Sequence, residues 1–291
     1  MRNWIIMIAA FIIGFIGCDN ASNQSNLTSA KSSKRYLERL QEFQTSLIYV
    51  GPSPQDWNPE PLPPDTQEVY YQSGGLSLKA WLYIPPNKEP KHPALVYFHG
   101  GFAFSSGDLM TCEPFINAGF AVMCPMFRGE NGNPGNYELM LGEVEDAKAA
   151  VQWLANQPYI DRNRIFAFGH SSGGCIAALL SLRANVPVQH SGSAGGLYSQ
   201  NVFDDWKDFV PFDLSNSNER ELRVLIGNIS EMQFPHYAYI GKTDSFKDEL
   251  KLAKREISDL ESKLYITMVN GDHFSSLKPA MEHYLSITEI E

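Results

Sequence analysis

Three residues distant in the chain carry the chemistry this sequence is equipped to do: Ser171, Asp244 and His273. Ser171 stands at the centre of Gly169-His170-Ser171-Ser172-Gly173, which fits Gly-x-Ser-x-Gly. A serine hydroxyl becomes a nucleophile when an imidazole accepts its proton, and an acid on the far side of that imidazole fixes its tautomer and stabilises the imidazolium. His273 suits the base, Asp244 the acid, and the product of such a relay is acyl transfer. The oxyanion that builds up needs N–H donors where no side chain intrudes. His99-Gly100-Gly101 offers such a turn, so the expected donors are the N–H of Ser172 and that of Gly101 or Phe102. Ser172 is the rival nucleophile, but it breaks the glycine spacing. Asp272 and Asp248 are rival acids; the first adjoins His273, where neighbouring loop side chains rarely face each other, and the second falls inside an expected helix. His170 is expected to pack beside the serine and His99 to brace the glycine turn, while His92, His190, His236 and His283 belong to no motif.

Such residues work only if strands and helices bring them together. Ile165 to Phe168 is an apolar strand and Cys175 to Leu182 a helix, so Ser171 occupies a sharp strand-to-helix turn over a helix N-terminus. Glycines flank it because strand and helix approach too closely for side chains. Ala94 to Phe98 is a strand running into the His-Gly-Gly turn, Phe120 to Cys124 is the next, and Arg128-Gly129 opens a loop to Gly135. Glu143 to Asn156 has helical period, and an Asp161-Arg162-Asn163 turn leads back to the serine strand. Val186 to His190, His236 to Ile240 and Leu264 to Val269 are expected strands, Ser245 to Ile257 a helix, and the region to Ser286 a closing helix. Before them, Glu68 to Gln72 and Leu76 to Ile84 flank Gly74-Gly75 as a hairpin. The expectation is an α/β fold: a mostly parallel central sheet with helices on both faces, whose strand C-terminal ends gather the three residues on one edge. Leu197 to Asn218 interrupts the alternation with Tyr198, Phe203, Trp206, Phe209 and Phe212, either a lid or acyl pocket or plain packing on the sheet.

The 291 residues are 43% hydrophobic with a formal charge of −10, and they contain no basic stripe, which speaks against nucleic acid as a partner. No Cys or His spacing suits a metal, and no cofactor is expected. Residues 1–18 stand apart: Arg2 precedes an uncharged apolar run of thirteen residues, Trp4 to Ile16, whereas a membrane span takes about 20. The run fits a secretory leader, and Phe15-Ile16-Gly17-Cys18 resembles a bacterial lipobox, implying a lipidated Cys18 and an exported, envelope-anchored protein; the alternative is an ordinary signal peptide and a secreted or periplasmic protein. Residues 19–35 read as a polar tether, with Asn-x-Ser/Thr triplets at Asn20, Asn23 and Asn26. Residues 36–65 hold an expected helix from Tyr36 to Tyr49 and a Gly51-to-Pro64 connector containing six prolines, ahead of the main domain at 66–291. Cys112 and Cys124 are open to pairing or to remaining buried thiols.

The pieces HGG at His99, RGENGNPG at Arg128, GEVEDAKAAVQWL at Gly142, DRNRI at Asp161, GHSSGG at Gly169, IGKTD at Ile240 and GDHF at Gly271 occur in an order that resembles the α/β-hydrolases. Within them the chain resembles stand-alone prolyl-oligopeptidase-like serine hydrolases, neighbours of the dienelactone-hydrolase-like enzymes. The resemblance implies Ser171 as nucleophile, Asp244 as acid, His273 as base, and oxyanion donors on Ser172 and on Gly101 or Phe102. The full peptidases of that group carry a large N-terminal propeller, whereas about thirty residues separate tether from sheet here. The expected function is therefore an esterase-like acyl hydrolase of small substrates, with a short-peptide or acyl-aminoacyl peptidase as the alternative. A non-catalytic surface-binding lipoprotein on a hydrolase scaffold is the reading from another class.

Overall fold

Side chains that alternate between the two faces of each central strand define two cores. On β3 (His92–Phe98), Ala94, Val96 and Phe98 enter one core while Leu95 and Tyr97 enter the other. β5 (Ile160–His170) divides likewise, Ile165 and Ala167 against Phe166 and Phe168. Strands buried on both faces read as continuous apolar runs, which is why ALVYF and IFAF stand out in the sequence.

The computed structural model describes residues 34–86, 89–257 and 262–288. The remaining strands are β1 (Thr66–Ser73), β2 (Leu76–Tyr83), β4 (Ala121–Pro125), β6 (Ser191–Ala194), β7 (His236–Gly241) and β8 (Leu264–Val269). They form one eight-stranded sheet in the order β1-β2-β4-β3-β5-β6-β7-β8. β3 to β8 are mutually parallel, and β2 joins antiparallel to β4 and, through the Gly74-Gly75 turn, to β1. Helices α4 (Gly142–Ala155) and α5 (Ser172–Leu180) cover the first core, and α3 (Glu113–Asn117) and α9 (Leu277–Thr288) the second. The other helices are α1 (Tyr36–Glu42), α2 (Ser106–Thr111), α6 (Val202–Asp205), α7 (Ser217–Glu221) and α8 (Lys247–Ile257).

Four local expectations change. The first helix stops at Glu42; Leu47 then bridges Phe212, and the N–H groups of Ile48 and Tyr49 donate to Pro211 O, so tertiary pairing overrides the helical spacing beyond Phe43. Asp161 to Asn163 belongs to β5 rather than to a turn. Val186 to His190 is only an approach, since Pro187 has no N–H for a ladder; the strand is Ser191–Ala194, paired between β5 and β7. A Cβ on Gly192 would lie 2.7 Å from Phe168 and 2.9 Å from Tyr284, so this strand must be small rather than apolar. The helix expected from Ser245 begins at Lys247.

Cys112, Cys124 and Cys175 are buried free thiols. No helix among the described residues is long and apolar enough to cross a membrane. The leader, Cys18, residues 19–33 of the tether and its Asn triplets lie outside the described residues.

Candidate active site

The turns after β3, β5, β7 and β8 open on the same sheet edge and bring the expected trio together. Ser171 lies between β5 and α5 with φ 53° and ψ −117°, a backbone that a non-glycine residue adopts only under strain. The strain is held by close packing: a Cβ on Gly169 would meet Gly173 O at 2.0 Å, and one on Gly173 would meet Phe98 O at 2.1 Å. Ser171 N–H donates to Ala194 O at 2.9 Å, which ties the turn to β6.

His273 Nε2 lies 3.0 Å from Ser171 Oγ, and its Nδ1 lies 3.1 Å from Asp244 Oδ2. Asp244 is buried, and its Oδ1 also accepts from Phe246 N at 2.8 Å, so the carboxylate has one orientation. The imidazole edge meets Phe246 and Phe274 at 5.1 and 5.2 Å between ring centroids. Asp272 turns away: its Oδ1 accepts from Phe274 N, Ser275 N and Ser275 Oγ. Asp248 is on exposed α8 surface, paired with Lys251.

The His-Gly-Gly turn lies on the other side of Ser171. A Cβ on Gly100 would lie 3.5 Å from Ser171 Cβ, so the turn runs directly alongside the elbow. Ser172 is the first residue of α5, and its N–H has no helical partner. Among the described residues, neither that N–H nor the N–H of Gly101 meets an acceptor. Phe102 N–H differs, because it donates to Gln55 Oε1 at 3.0 Å. Ser172 Oγ donates to Gly101 O at 2.7 Å and is thereby occupied.

Charges beneath the turn are paired. Burial pulls the His99 imidazole down, but the Glu130 carboxylate, 3.0 Å from Nε2, outweighs it and raises the group to about 9. As imidazolium, His99 donates through Nδ1 to Gly100 O at 3.1 Å. Asn131 makes reciprocal 2.9 Å bonds to the backbone N–H and C=O of Phe104. Arg128 anchors that loop by a two-point contact with Asp146 of α4 at 2.9 and 2.8 Å. The RGENGNPG segment is thus the scaffold of the His-Gly-Gly turn. His170 is held neutral, lowered to about 4 by burial and then by His273; its Nε2 donates to His273 O at 2.8 Å.

Sequence reasoning passed over two contributors. Gly195, at φ +60°, follows β6, and a Cβ there would lie 2.8 Å from His273 Nδ1 and 3.3 Å from Asp244 Oδ2. Gln55 comes from the proline-rich connector, which has no motif. The aromatic interruption splits: Tyr198, Phe203 and Phe212 are core, while half-buried Trp206 and exposed Phe209 pack on Phe102 at 5.3 and 5.5 Å. A cavity of ≈ 280 Å³ is lined among others by Trp57, Glu60, Glu68, Lys79, Trp81 and Asn131, and none of the trio lines it.

A mostly parallel sheet with a glycine-flanked serine after a central strand, and an acid and a histidine after later ones, defines the α/β-hydrolase superfamily. The sequence profile of the BD-FAE family matches residues 81–233, just over half of the chain, and the chain belongs to that family. Among curated relatives, the uncharacterised peptidase YtmA of Bacillus subtilis is 30% identical over 131 residues, 44% of this chain and 50% of that protein. The chain spans about half the length of the curated relatives it first matches. Among solved structures, a puromycin-hydrolysing peptidase of Mycobacterium tuberculosis superposes with a TM-score of 0.67 at 18% identity, over 77% of this chain and 39% of that one. Est1E of Butyrivibrio proteoclasticus, with ferulic acid bound, gives 0.61 at 16% identity over 77% of this chain and all of that one. At these identities the two structures report the fold.

Proposed function

We propose that the protein is a serine hydrolase that cleaves carboxylic esters through an acyl-enzyme on Ser171. The observation that carries this reading is the continuous hydrogen-bond chain from Ser171 Oγ through His273 to Asp244, flanked by the unengaged N–H groups of Ser172 and Gly101. His273 Nε2 takes the hydroxyl proton as Oγ bonds to the substrate carbonyl carbon. Asp244 stabilises the imidazolium, and the two N–H groups receive the oxyanion. Collapse expels the alkoxide, which takes the proton from His273. Water then repeats the sequence, releasing the acid and restoring Ser171. Phe102, Trp206 and Phe209 form an apolar wall beside the oxyanion turn for the acyl part.

An ester is favoured over a peptide because an alkoxide leaves more readily than an amine. Two donors and a relay in an open cleft suffice for the first, and the second needs added positioning. The peptidases among the relatives keep the amide alternative in the experiment. Purified protein is compared on short-chain nitrophenyl esters and on aminoacyl and acyl-aminoacyl anilides, with fluorophosphonate labelling alongside. The expected result is label and ester turnover in the wild type, both lost in Ser171→Ala, with kcat down on the order of 10⁴-fold or more. Anilide kcat/KM equal to that of the esters would replace the reading with a peptidase, and folded wild type that takes no label would make the chain a binding scaffold.

A further inference from the structure

The glycine turn beside Ser171 has no side chains with which to hold itself, and the connector ahead of the sheet holds it. Gln55 Oε1 accepts from Phe102 N at 3.0 Å, and Gly101 O accepts from Ser172 Oγ at 2.7 Å. These are the two ends of one peptide group. A peptide is planar, so a bond at its C=O and another at its N–H together fix its rotation about both flanking Cα atoms. The next carbonyl is held as well, since Ser53 Oγ donates to Phe102 O. Ser53 N–H in turn donates to Gly129 O at 2.9 Å, and Gly51 O accepts from Tyr137 N at 3.0 Å, which docks the strap at residues 51–55 on the loop scaffold.

Gly101 itself sits at φ +73°, and a Cβ there would lie 2.8 Å from Gln55 Oε1. The missing side chain therefore serves two ends: it permits the left-handed backbone and leaves room for the incoming amide. Gly101 N–H lies between a peptide fixed on one side and Gly100, packed on the elbow, on the other. Gln55 does not itself fill the oxyanion position, because it bonds Phe102 N–H and neither Ser172 N–H nor Gly101 N–H donates to it.

We propose that Gln55 is a positioning residue: by clamping the Gly101–Phe102 peptide together with Ser172 Oγ, it presets the Gly101 N–H to receive the oxyanion formed at Ser171. This rests on the ester-hydrolase reading above. Phe102 N–H is then a structural donor, and Ser172 and Gly101 are the two that act on substrate. Without the clamp, the turn samples orientations in which the donor is turned away. Complete loss of one such donor lowers kcat by about 10²–10³-fold, so partial misorientation should cost roughly 10- to 100-fold.

The test uses Gln55→Met, which keeps length and removes the acceptor, and Gln55→Ala as a second variant in the full chain. Active sites are counted by fluorophosphonate titration, so any misfolded fraction drops out of kcat. The clamp predicts kcat on a short-chain nitrophenyl ester down roughly 10- to 100-fold with KM changed less than about threefold. It also predicts that affinity for a trifluoromethyl ketone, whose serine adduct carries the oxyanion, falls by the same factor as kcat/KM. Unchanged kcat, a loss confined to KM, or kcat falling with ketone affinity intact would each overturn the proposal while leaving the ester reading in place. A rise in kcat/KM would mean that Gln55 obstructs the site, which also overturns it. Wild type lacking both label and ester turnover would remove the ester reading, and this proposal with it.

Discussion

Replacing Glu130 by Gln tests the charge pair beneath the His-Gly-Gly turn. The same oxygen, Glu130 Oε2, faces His99 Nε2 at 3.0 Å and accepts from Phe127 N at 2.9 Å, so a glutamine carbonyl can keep that position while removing the charge. His99 has a folded pKa of about 9 against 6.5 when free, and it is wholly buried. The folded state therefore retains a proton that the unfolded chain has released. This stabilisation is fully present below pH 6.5 and is lost as pH rises through 9. At about 1.4 kcal/mol per pH unit, the pair contributes roughly 3 kcal/mol in acid, of which about 2 kcal/mol disappears between pH 7 and 9.5. Glu143, raised to about 7 chiefly by burial, has a folded pKa above its free value of 4.5, so its contribution falls mostly below that interval. Burial also lifts the Cys175 thiol from 9 to about 12, which erodes stability above pH 9 in both proteins. The difference between them isolates His99. Urea unfolding followed by tryptophan fluorescence should show the wild type losing about 2 kcal/mol more than Glu130→Gln between pH 7 and 9.5. Parallel losses in the two proteins would refute an imidazolium at His99.

Gly195→Ala should lower ester kcat at least about 100-fold, because the new Cβ would lie 2.8 Å from His273 Nδ1 and displacements near 1 Å cost this much. Its left-handed φ should add about 1–2 kcal/mol of destabilisation, and turnover within tenfold of wild type would mean that the His273–Asp244 contact tolerates the methyl group. We propose, from the pattern of residues 1–18 alone, that the protein is anchored to the envelope; the full chain made in a bacterial host should then incorporate an alkynyl fatty acid and Cys18→Ser should abolish it, whereas an unlabelled wild type removes the lipid anchor.

The sheet and the three converging residues were legible because the geometry demands particular residue types. Strands buried on both faces must be continuous apolar runs, and a serine turn wedged between strand and helix must have glycine on either side. β6 obeys a different constraint. Its SGSA lies where Phe168 and Tyr284 leave no room beside Gly192, so close packing selects small residues that carry no hydrophobic signal. The more apolar Val186-to-His190 stretch beside it drew the strand assignment instead. Residues 43–49 have helical spacing, but Ser46 N–H donates to Glu219 Oε1 and the N–H groups of Ile48 and Tyr49 to Pro211 O, partners no local pattern reveals.

The His-Gly-Gly turn, proposed above to receive the oxyanion, explains why a site can be found by motif and still be incompletely described by it. A turn that must bring bare N–H groups to a reacting carbonyl is made of glycine, and glycine is the residue that loses most freedom on ordering. Its order has to come from side chains elsewhere. Here they are Gln55 and Ser53 from the connector, Ser172 from the helix beneath, and Glu130 and Asn131 from the following loop, acting through His99 and Phe104. The last three fall inside segments marked by their own glycines and charges, GHSSGG and RGENGNPG. The connector residues stand among prolines, where any polar side chain reads as exposed, and only the folded chain places Gln55 against Phe102 N–H. Residues that do chemistry impose a pattern on their neighbours, whereas residues that hold a glycine turn in place need only reach it.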